Sequence, residues 1–344
     1  MSLPGFILRR LAQAVPVLLA ASFLTFFLIN QSPGNYLTKL KLNPQISLEH
    51  IQREERRLGL DRPWIVSYGL WLKGIVWGDR AEWTPWWRPG GCLNFGYSFA
   101  QKRPVLEIIG ERAGNTLLLS LCATFFAWGV GLPLGILAAR RQYGWVDKSA
   151  SASAFVGISM PSVFLALLAV YFAKVTGWFP TGGLQDVRHW ESFTLAQKGL
   201  DRARHLALPT IVLGSSMTAI YMRQMRGHLL DVLRADFVRT ARAKGLSERA
   251  VLMRHAVRNA INPLITLFGY SISDLLSGAF LVEVVMSLPG LGRTTVEAFF
   301  AKDLFLVNAS VLVATALLVL GNAIADILLA VTDPRIKLGG EAGG

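Results

Sequence analysis

The 344-residue sequence has only two cysteines, Cys92 and Cys122, and five histidines, His50, His189, His205, His228 and His255. Cys122 falls in an apolar run and Cys92 in a polar stretch, so a disulfide framework is not expected, and no Cys/His cluster has the spacing of a zinc site. No histidine sits in the middle of an apolar run, which argues against a haem-binding bundle. The sequence also lacks a Gly-x-x-x-x-Gly-Lys-Ser/Thr phosphate loop. Its nearest approach, Pro289-Gly290-Leu291-Gly292-Arg293-Thr294-Thr295, has neither the lysine nor the spacing, and Thr295 stands where a dinucleotide turn needs its third glycine, so the segment reads as a turn. Acid–histidine clusters and nucleophile motifs are missing too. No catalytic residue, bound metal or bound cofactor is expected, and the chain reads as a non-enzyme.

Charge is scarce where hydrophobicity is concentrated. The composition is 52% hydrophobic, with a mean hydropathy of +0.42 and a formal net charge of +13. A soluble protein of this size is seldom so apolar. A strongly basic chain suits either nucleic acid or a membrane protein with basic loops. Here the charges fall between long apolar runs, so the membrane reading is preferred, with lipid and not nucleic acid as the surrounding partner.

A hydrocarbon core about 30 Å thick needs roughly 20 apolar residues as helix. Six segments qualify, at about 11–30, 115–139, 151–173, 207–226, 264–287 and 305–331. Each must be helical, because lipid cannot satisfy open backbone groups, and Gly129, Gly131, Pro133 and Pro161 are expected to be tolerated inside them. The first run is longer than a signal-peptide core and has no clear small-x-small site after it, so it reads as a retained span. Arg9 and Arg10, then Arg140, Arg141 and Lys148, then the basic residues from Arg223 to Arg258, then Arg335 and Lys337, all fall on one side if both termini are cytoplasmic. The expectation is an all-α polytopic protein of six transmembrane helices. It divides into residues 1–30 with the first span, an extracytoplasmic segment 31–114, and a core 115–344.

The extracytoplasmic segment holds Trp64, Trp71, Trp77, Trp83, Trp86 and Trp87, and a helix is expected from Ser47 to Leu58 with Ser47 as its N-cap. It reads either as an amphipathic lid on the outer surface or as a contact surface for an external protein.

The cytoplasmic loop 223–262 parses as helix, break, helix. Val232 to Lys244 is helix-forming, Gly245 fits a C′ glycine, and Ser247 fits the N-cap of a second helix. Leu246 is expected to pack back on Ala241 and to staple onto Val251, and Pro263 marks the start of the next span. Such a loop could lie on anionic lipid. A tight glycine elbow favours docking into a partner's groove, since lipid needs no defined angle.

Arg239-Thr240-Ala241-Arg242-Ala243-Lys244-Gly245-Leu246-Ser247 closely resembles the EAA loop of binding-protein-dependent ABC import permeases, in the oligopeptide/dipeptide/nickel branch and of the first permease subunit type. Gly59-Leu60-Asp61-Arg62-Pro63, Arg103-Pro104-Val105, Asn115-Thr116, Pro289-Gly290-Leu291-Gly292 and Asp333-Pro334-Arg335 agree with it. The sequence departs from the pattern in three places: Arg239 stands where the motif has an acid, the proline near the elbow appears only at Pro263, and 83–95 looks like an insertion.

The resemblance implies the type I ABC importer permease architecture in a cell (inner) membrane. It implies a second permease subunit, two ATP-binding subunits that handle ATP and Mg, and an extracytoplasmic solute-binding protein. Arg239, Thr240, Ala241, Lys244, Gly245, Leu246 and Ser247 would carry coupling. Peptides are the leading cargo, with nickel or another small solute such as a glycoside as the alternative. A channel or secondary transporter would have no such elbow.

Polar groups inside spans are costly and usually face a bundle interior or a cavity. Ser271, Ser273, Asp274, Ser277, Glu283, Asn322 and Asp326 are therefore candidates, either paired between helices or lining the pathway. Ser271, Asp274, Ser277, Glu283 and Asn322 are chosen as pathway residues, Asp274 and Ser277 because they lie three apart on one face. Met217, Met222 and Met225 read either as an adaptable surface or as space-filling.

Overall fold

The computed structural model describes residues 3–34, 37, 41, 47, 49, 51–53, 62–77 and 94–332. Most of the helix expected over 47–58, the tryptophans Trp83, Trp86 and Trp87, and Asp333-Pro334-Arg335 lie outside the described residues. The long elements are α1 (Leu3–Gln31), α2 (Trp64–Trp77), α3 (Val105–Arg140), α4 (Trp145–Ser159), α5 (Ser162–Thr176), α6 (Leu195–Leu233), α7 (Asp236–Ala243), α8 (Asn262–Val285), α9 (Leu291–Phe300) and α10 (Leu304–Thr332). A two-stranded antiparallel hairpin, β1 (Tyr97–Ser98) and β2 (Arg103–Pro104), precedes α3.

Every expected span holds helix, but not with the expected limits. Among the described residues, Ala12–Gln31, Val105–Arg140, Leu195–Leu233 and Leu304–Ile324 are each long and apolar enough to cross a membrane. α3 and α6 overrun their expected apolar runs, 115–139 and 207–226. α3 has 36 residues and starts ten residues earlier than expected, with Glu107 in its first turn, where a carboxylate suits the positive end of the helix dipole. α6 has 39 residues and opens on a capping box, Thr194 with Gln197.

The third span is corrected outright. In place of one helix over 151–173 there are two, α4 and α5, bent by 106°. Pro161 supplies no N–H and pushes its predecessor away from helical geometry. Met160 is accordingly extended at φ −89°, ψ 126°, and Pro161 becomes the N-cap of α5.

The chain forms two compact units. One comprises Met1–Arg10, Leu117–Leu288 and Leu317–Gly344, and is organised around α6. Apolar burial against lipid gives helices little reason to associate, so close packing of small residues must do it. A Cβ added at Gly131 would lie 2.8 Å from the Thr218 carbonyl oxygen, and one at Gly135 would lie 2.7 Å from both the Met222 oxygen and Met225 Cβ. These two glycines, one helical turn apart on α3, let its backbone touch that of α6. On α4, the Gly157 carbonyl accepts from Ser216 Oγ at 3.1 Å. Asp147, at the start of α4, forms a two-pronged ion pair with Arg226 at 2.5 and 2.7 Å. It also accepts the N–H of Tyr143 at 2.8 Å. Met222 and Met225 are fully buried within this packing, as space-filling residues would be.

The other unit comprises Leu11–Thr116 and Pro289–Ala316. Its core is aromatic. The Trp71 indole N–H donates to the Phe95 carbonyl at 3.0 Å, and the Tyr68 hydroxyl lies 2.9 Å from Ser22 Oγ. Buried Asp303 ties the hairpin to the first turn of α10. Its carboxylate accepts from Ser98 Oγ at 2.6 Å, the Ala100 N–H at 3.0 Å and the Leu306 N–H at 3.3 Å. Asn115 and Thr116 hold the turn before α9. The Asn115 amide donates to the Pro289 carbonyl at 2.7 Å, and Thr116 Oγ1 accepts the Leu291 N–H at 2.8 Å. The glycine-rich segment 289–295 is thus a helix-opening turn.

Candidate coupling surface

The elbow is built from the end of α6 to the start of α8. α6 does not stop at its apolar run but continues through Arg223 to Leu233. The chain then breaks at Arg234–Ala235, and α7 starts at Asp236, so the helix expected from Val232 begins four residues later. Thr240 returns its hydroxyl to the Asp236 carbonyl at 2.9 Å, inside α7.

The end of α7 has the expected glycine geometry. Gly245 has φ +76°, the left-handed region. Its N–H donates to the Arg242 carbonyl at 2.9 Å, and the Leu246 N–H donates to the Ala241 carbonyl at 3.4 Å. These two bonds make a Schellman motif, which satisfies carbonyls that a helix end otherwise leaves open. The tie between Leu246 and Ala241 is thus a main-chain one. Ser247 then caps the second arm, its hydroxyl accepting the Ala250 N–H at 3.4 Å. That arm is α-helical over Glu248–Ala250, widens to a π-helix over Val251–Val257 and narrows again over Arg258–Ala260. Such π segments are rare and often occur at functional sites. A two-pronged ion pair, Arg242 to Glu248 at 2.8 and 3.3 Å, spans the turn from one arm to the other.

The elbow has a sharply divided surface. Val238, Ala241, Val251, Leu252 and Ala256 are buried in one cluster with Tyr221, Met225 and Leu229 of α6 and Ala139 of α3. Facing away are three large apolar side chains, Phe237 (44% exposed), Leu246 (43%) and Met253 (52%). Arg239, Lys244, Arg249, Arg254 and Arg258 are exposed as well. Arg239 reaches Asp236 at 3.5 Å, an exposed pair one turn apart that contributes little to stability. Of the expected coupling residues, then, Ala241 faces inward, Gly245 and Ser247 shape the turn, and Arg239, Thr240, Lys244 and Leu246 face outward.

The expected pathway residues lie in differing surroundings. Ser271 is buried and donates to the Phe268 carbonyl at 2.8 Å. Asp274 is exposed, Glu283 buried and Asn322 half-buried, and the Ser277 side chain lies outside the described residues. Asp326 is paired with Arg10 at 2.5 Å. The Asp147–Arg226 pair was missed by sequence reasoning, because its partners are 79 positions apart and neither is in a motif.

Two family profiles match, and together they cover most of the chain. Residues 131–338 match the binding-protein-dependent transport system inner membrane component. Residues 3–120 match the N-terminal region of the corresponding membrane component. The chain belongs to the binding-protein-dependent transport system inner membrane component family. The permease is 37% identical over 335 residues to the oligopeptide transport system permease protein AppB of Bacillus subtilis, covering 97% of this chain and 99% of that protein. It is 33% identical over 349 residues to the dipeptide transport system permease protein DppB of Escherichia coli K12, covering 96% and 98%. Among solved structures it resembles the methionine ABC transporter MetNI in an inward-facing conformation, with a TM-score of 0.54 and 16% identity. That match covers 66% of this chain and 97% of the other, and it fixes the fold as that of an ABC importer permease.

Proposed function

We propose that the permease is a transmembrane subunit of an ATP-driven peptide importer. The observation that carries this reading is the elbow: a Schellman-closed turn on a segment that exposes three large apolar side chains, Phe237, Leu246 and Met253, along with several basic residues. A groove with apolar walls and an acidic rim on an ATP-binding subunit would complement it. The peptide relatives over nearly the whole chain support the cargo. In this reading the chain crosses the membrane six times, counting α4 and α5 as one broken span, with both termini cytoplasmic and 31–114 outside. It works with a second permease subunit, two ATP-binding subunits that hydrolyse ATP, and an extracytoplasmic solute-binding protein. Arg239, Thr240, Ala241, Lys244, Gly245, Leu246 and Ser247 form the coupling site. Ser271, Asp274, Ser277, Glu283 and Asn322 contribute to the pathway. ATP binding biases the elbow between two packings of the helices behind it, so that the pathway opens alternately to each side.

The test is reconstitution of the permease with its partner subunits in proteoliposomes. ATP-dependent accumulation of short peptides, lost in Leu246→Asp together with co-purification of the ATP-binding subunit, is the expected result. Accumulation of nickel or a glycoside without peptide would overturn the cargo assignment, and full coupling in Leu246→Asp would overturn the site.

A further inference from the structure

At the end of α6 far from the elbow lies a cavity of about 520 Å³. It lies between the C-terminus of α5, the loop after it and the first turns of α6. Asp186, Asp201, Arg188, Arg204, His205 and Trp178 line it. Its size is in the range of small-ligand pockets.

The frame of this cavity is fixed by its acids. Asp201 accepts the Asp186 N–H at 2.8 Å, and its other oxygen lies 3.3 Å from His205 Nδ1. Asp186 in turn accepts the Arg188 N–H at 2.9 Å and lies 2.8 Å from His189 Nδ1. The loop is pinned from behind, where the Gly183 N–H donates to the Met286 carbonyl at 3.1 Å, just past the end of α8. A Cβ at Gly182 would lie 2.5 Å from that same oxygen.

The guanidinium groups of Arg188 and Arg204 have no role in this frame. Both are exposed, and among the described residues neither guanidinium has a hydrogen-bond or ion-pair partner, although carboxylates line the same cavity. Guanidinium forks bind carboxylates with two parallel hydrogen bonds. The cavity therefore presents fixed negative charge, available positive charge and an exposed aromatic ring together. A zwitterion with an apolar side chain has the matching pattern.

We propose that this cavity is a peptide-binding site on the permease itself, taking a short peptide by its termini. Arg188 and Arg204 receive the carboxylate, Asp186 and Asp201 face the ammonium, and Trp178 covers a side chain. The assignment rests on the peptide-import reading. In that reading the elbow is cytoplasmic and this end of α6 is the external mouth, where cargo leaves the binding protein.

The experiment uses the complex of the permease with its partner subunits, in nanodiscs and without the solute-binding protein. Alanyl-phenylalanine, its C-terminal amide and its N-acetyl derivative are titrated, and binding is followed by saturation-transfer NMR. Wild type is expected to bind the free dipeptide saturably and both blocked forms at least tenfold more weakly. Arg188→Gln with Arg204→Gln is expected to weaken the free dipeptide to the level of the amide, and to leave the amide unchanged. No saturable binding to wild type, or equal binding by the double variant, overturns the site. So does a double variant that binds free peptide normally but, once the solute-binding protein is added back, no longer has its ATP hydrolysis stimulated by it, because the arginines would then be a protein-docking contact. Wild-type proteoliposomes that accumulate no peptide overturn the import reading and this assignment together. Uptake by wild type with unaltered binding in the variant overturns the assignment alone.

Discussion

Replacing Gly245 in a graded series tests whether the elbow depends on backbone conformation or on space. Gly245 has φ +76°, and a Cβ built there meets nothing within 4 Å. Any cost of a side chain is therefore conformational. A left-handed L-residue costs roughly 1–2 kcal/mol. Alanine also restricts the unfolded chain, which returns about 0.4–1 kcal/mol. The net for Gly245→Ala is about 1 kcal/mol, a roughly fivefold shift in the population of the formed elbow. Asparagine tolerates the left-handed region better and falls below this. Proline fixes φ near −65° and has no N–H, so it removes the bond to the Arg242 carbonyl and unwinds the motif, at about 3 kcal/mol or more. Co-purification of the ATP-binding subunit and cargo-stimulated ATP hydrolysis are expected to fall in the order glycine, asparagine, alanine, proline, with a large step only at proline. Full coupling in Gly245→Pro would refute the elbow as a structural requirement. Equal damage from asparagine and proline would show that contact space, not the dihedral angle, matters there.

Gly135→Ala places a methyl 2.7 Å from the Met222 oxygen and Met225 Cβ, so α3 and α6 must separate, at about 1–3 kcal/mol, read as earlier thermal unfolding in detergent. Gly199→Ala, with nothing within 4 Å, is the control and should not lower the midpoint. Asp303→Asn puts an NH2 or a single carbonyl where three donors converge, and each orphaned buried donor costs about 1–3 kcal/mol. Faster amide exchange at Ala100 and Leu306 is expected, and unchanged protection would show that the carboxylate is not what holds the hairpin. The Asp186 carboxyl is held below the usual carboxylate range by its bond to His189 and then by the Arg188 N–H. A depressed carboxyl contributes stability above its ordinary range and loses it as pH falls through its folded value. Exchange at the Arg188 amide should thus stay slow through mildly acidic pH and rise only below the ordinary carboxylate range. Loosening near neutral pH would contradict this.

Different physical causes separate what the sequence made legible from what it did not. The apolar runs are read directly from hydropathy, and each carries helix. Their ends are less legible, because a helix need not stop where lipid does. Val105 to Gly114 continues α3 with Glu107, Glu111 and Arg112 among its residues, since charge opposes burial and not helicity. Pro161 was read as tolerated, and its effect on Met160 broke the span instead. The elbow was legible at Gly245 and Ser247, where one residue's local chemistry decides the conformation. The break at Arg234–Ala235 has no glycine or proline to announce it. The cavity beside the first turns of α6 was hidden because its charges come from a loop and from a helix end that each read as ordinary polar flanks. An Asp201–His205 pair one turn apart, preceding an apolar run, was the available signal.

The length of α6 links the two ends of the molecule's chemistry. At 39 residues it spans about 58 Å. A tilt of about 5° around its middle displaces each end by roughly 2.5 Å, in opposite directions, without breaking any hydrogen bond within the helix. If a ligand at each end binds the two tilts with different affinities, each changes the other's affinity by the same factor, because coupling free energy is reciprocal. Whatever factor the ATP-binding subunit's state applies to cargo affinity at the mouth, cargo applies the same factor to the affinity of the elbow for its partner.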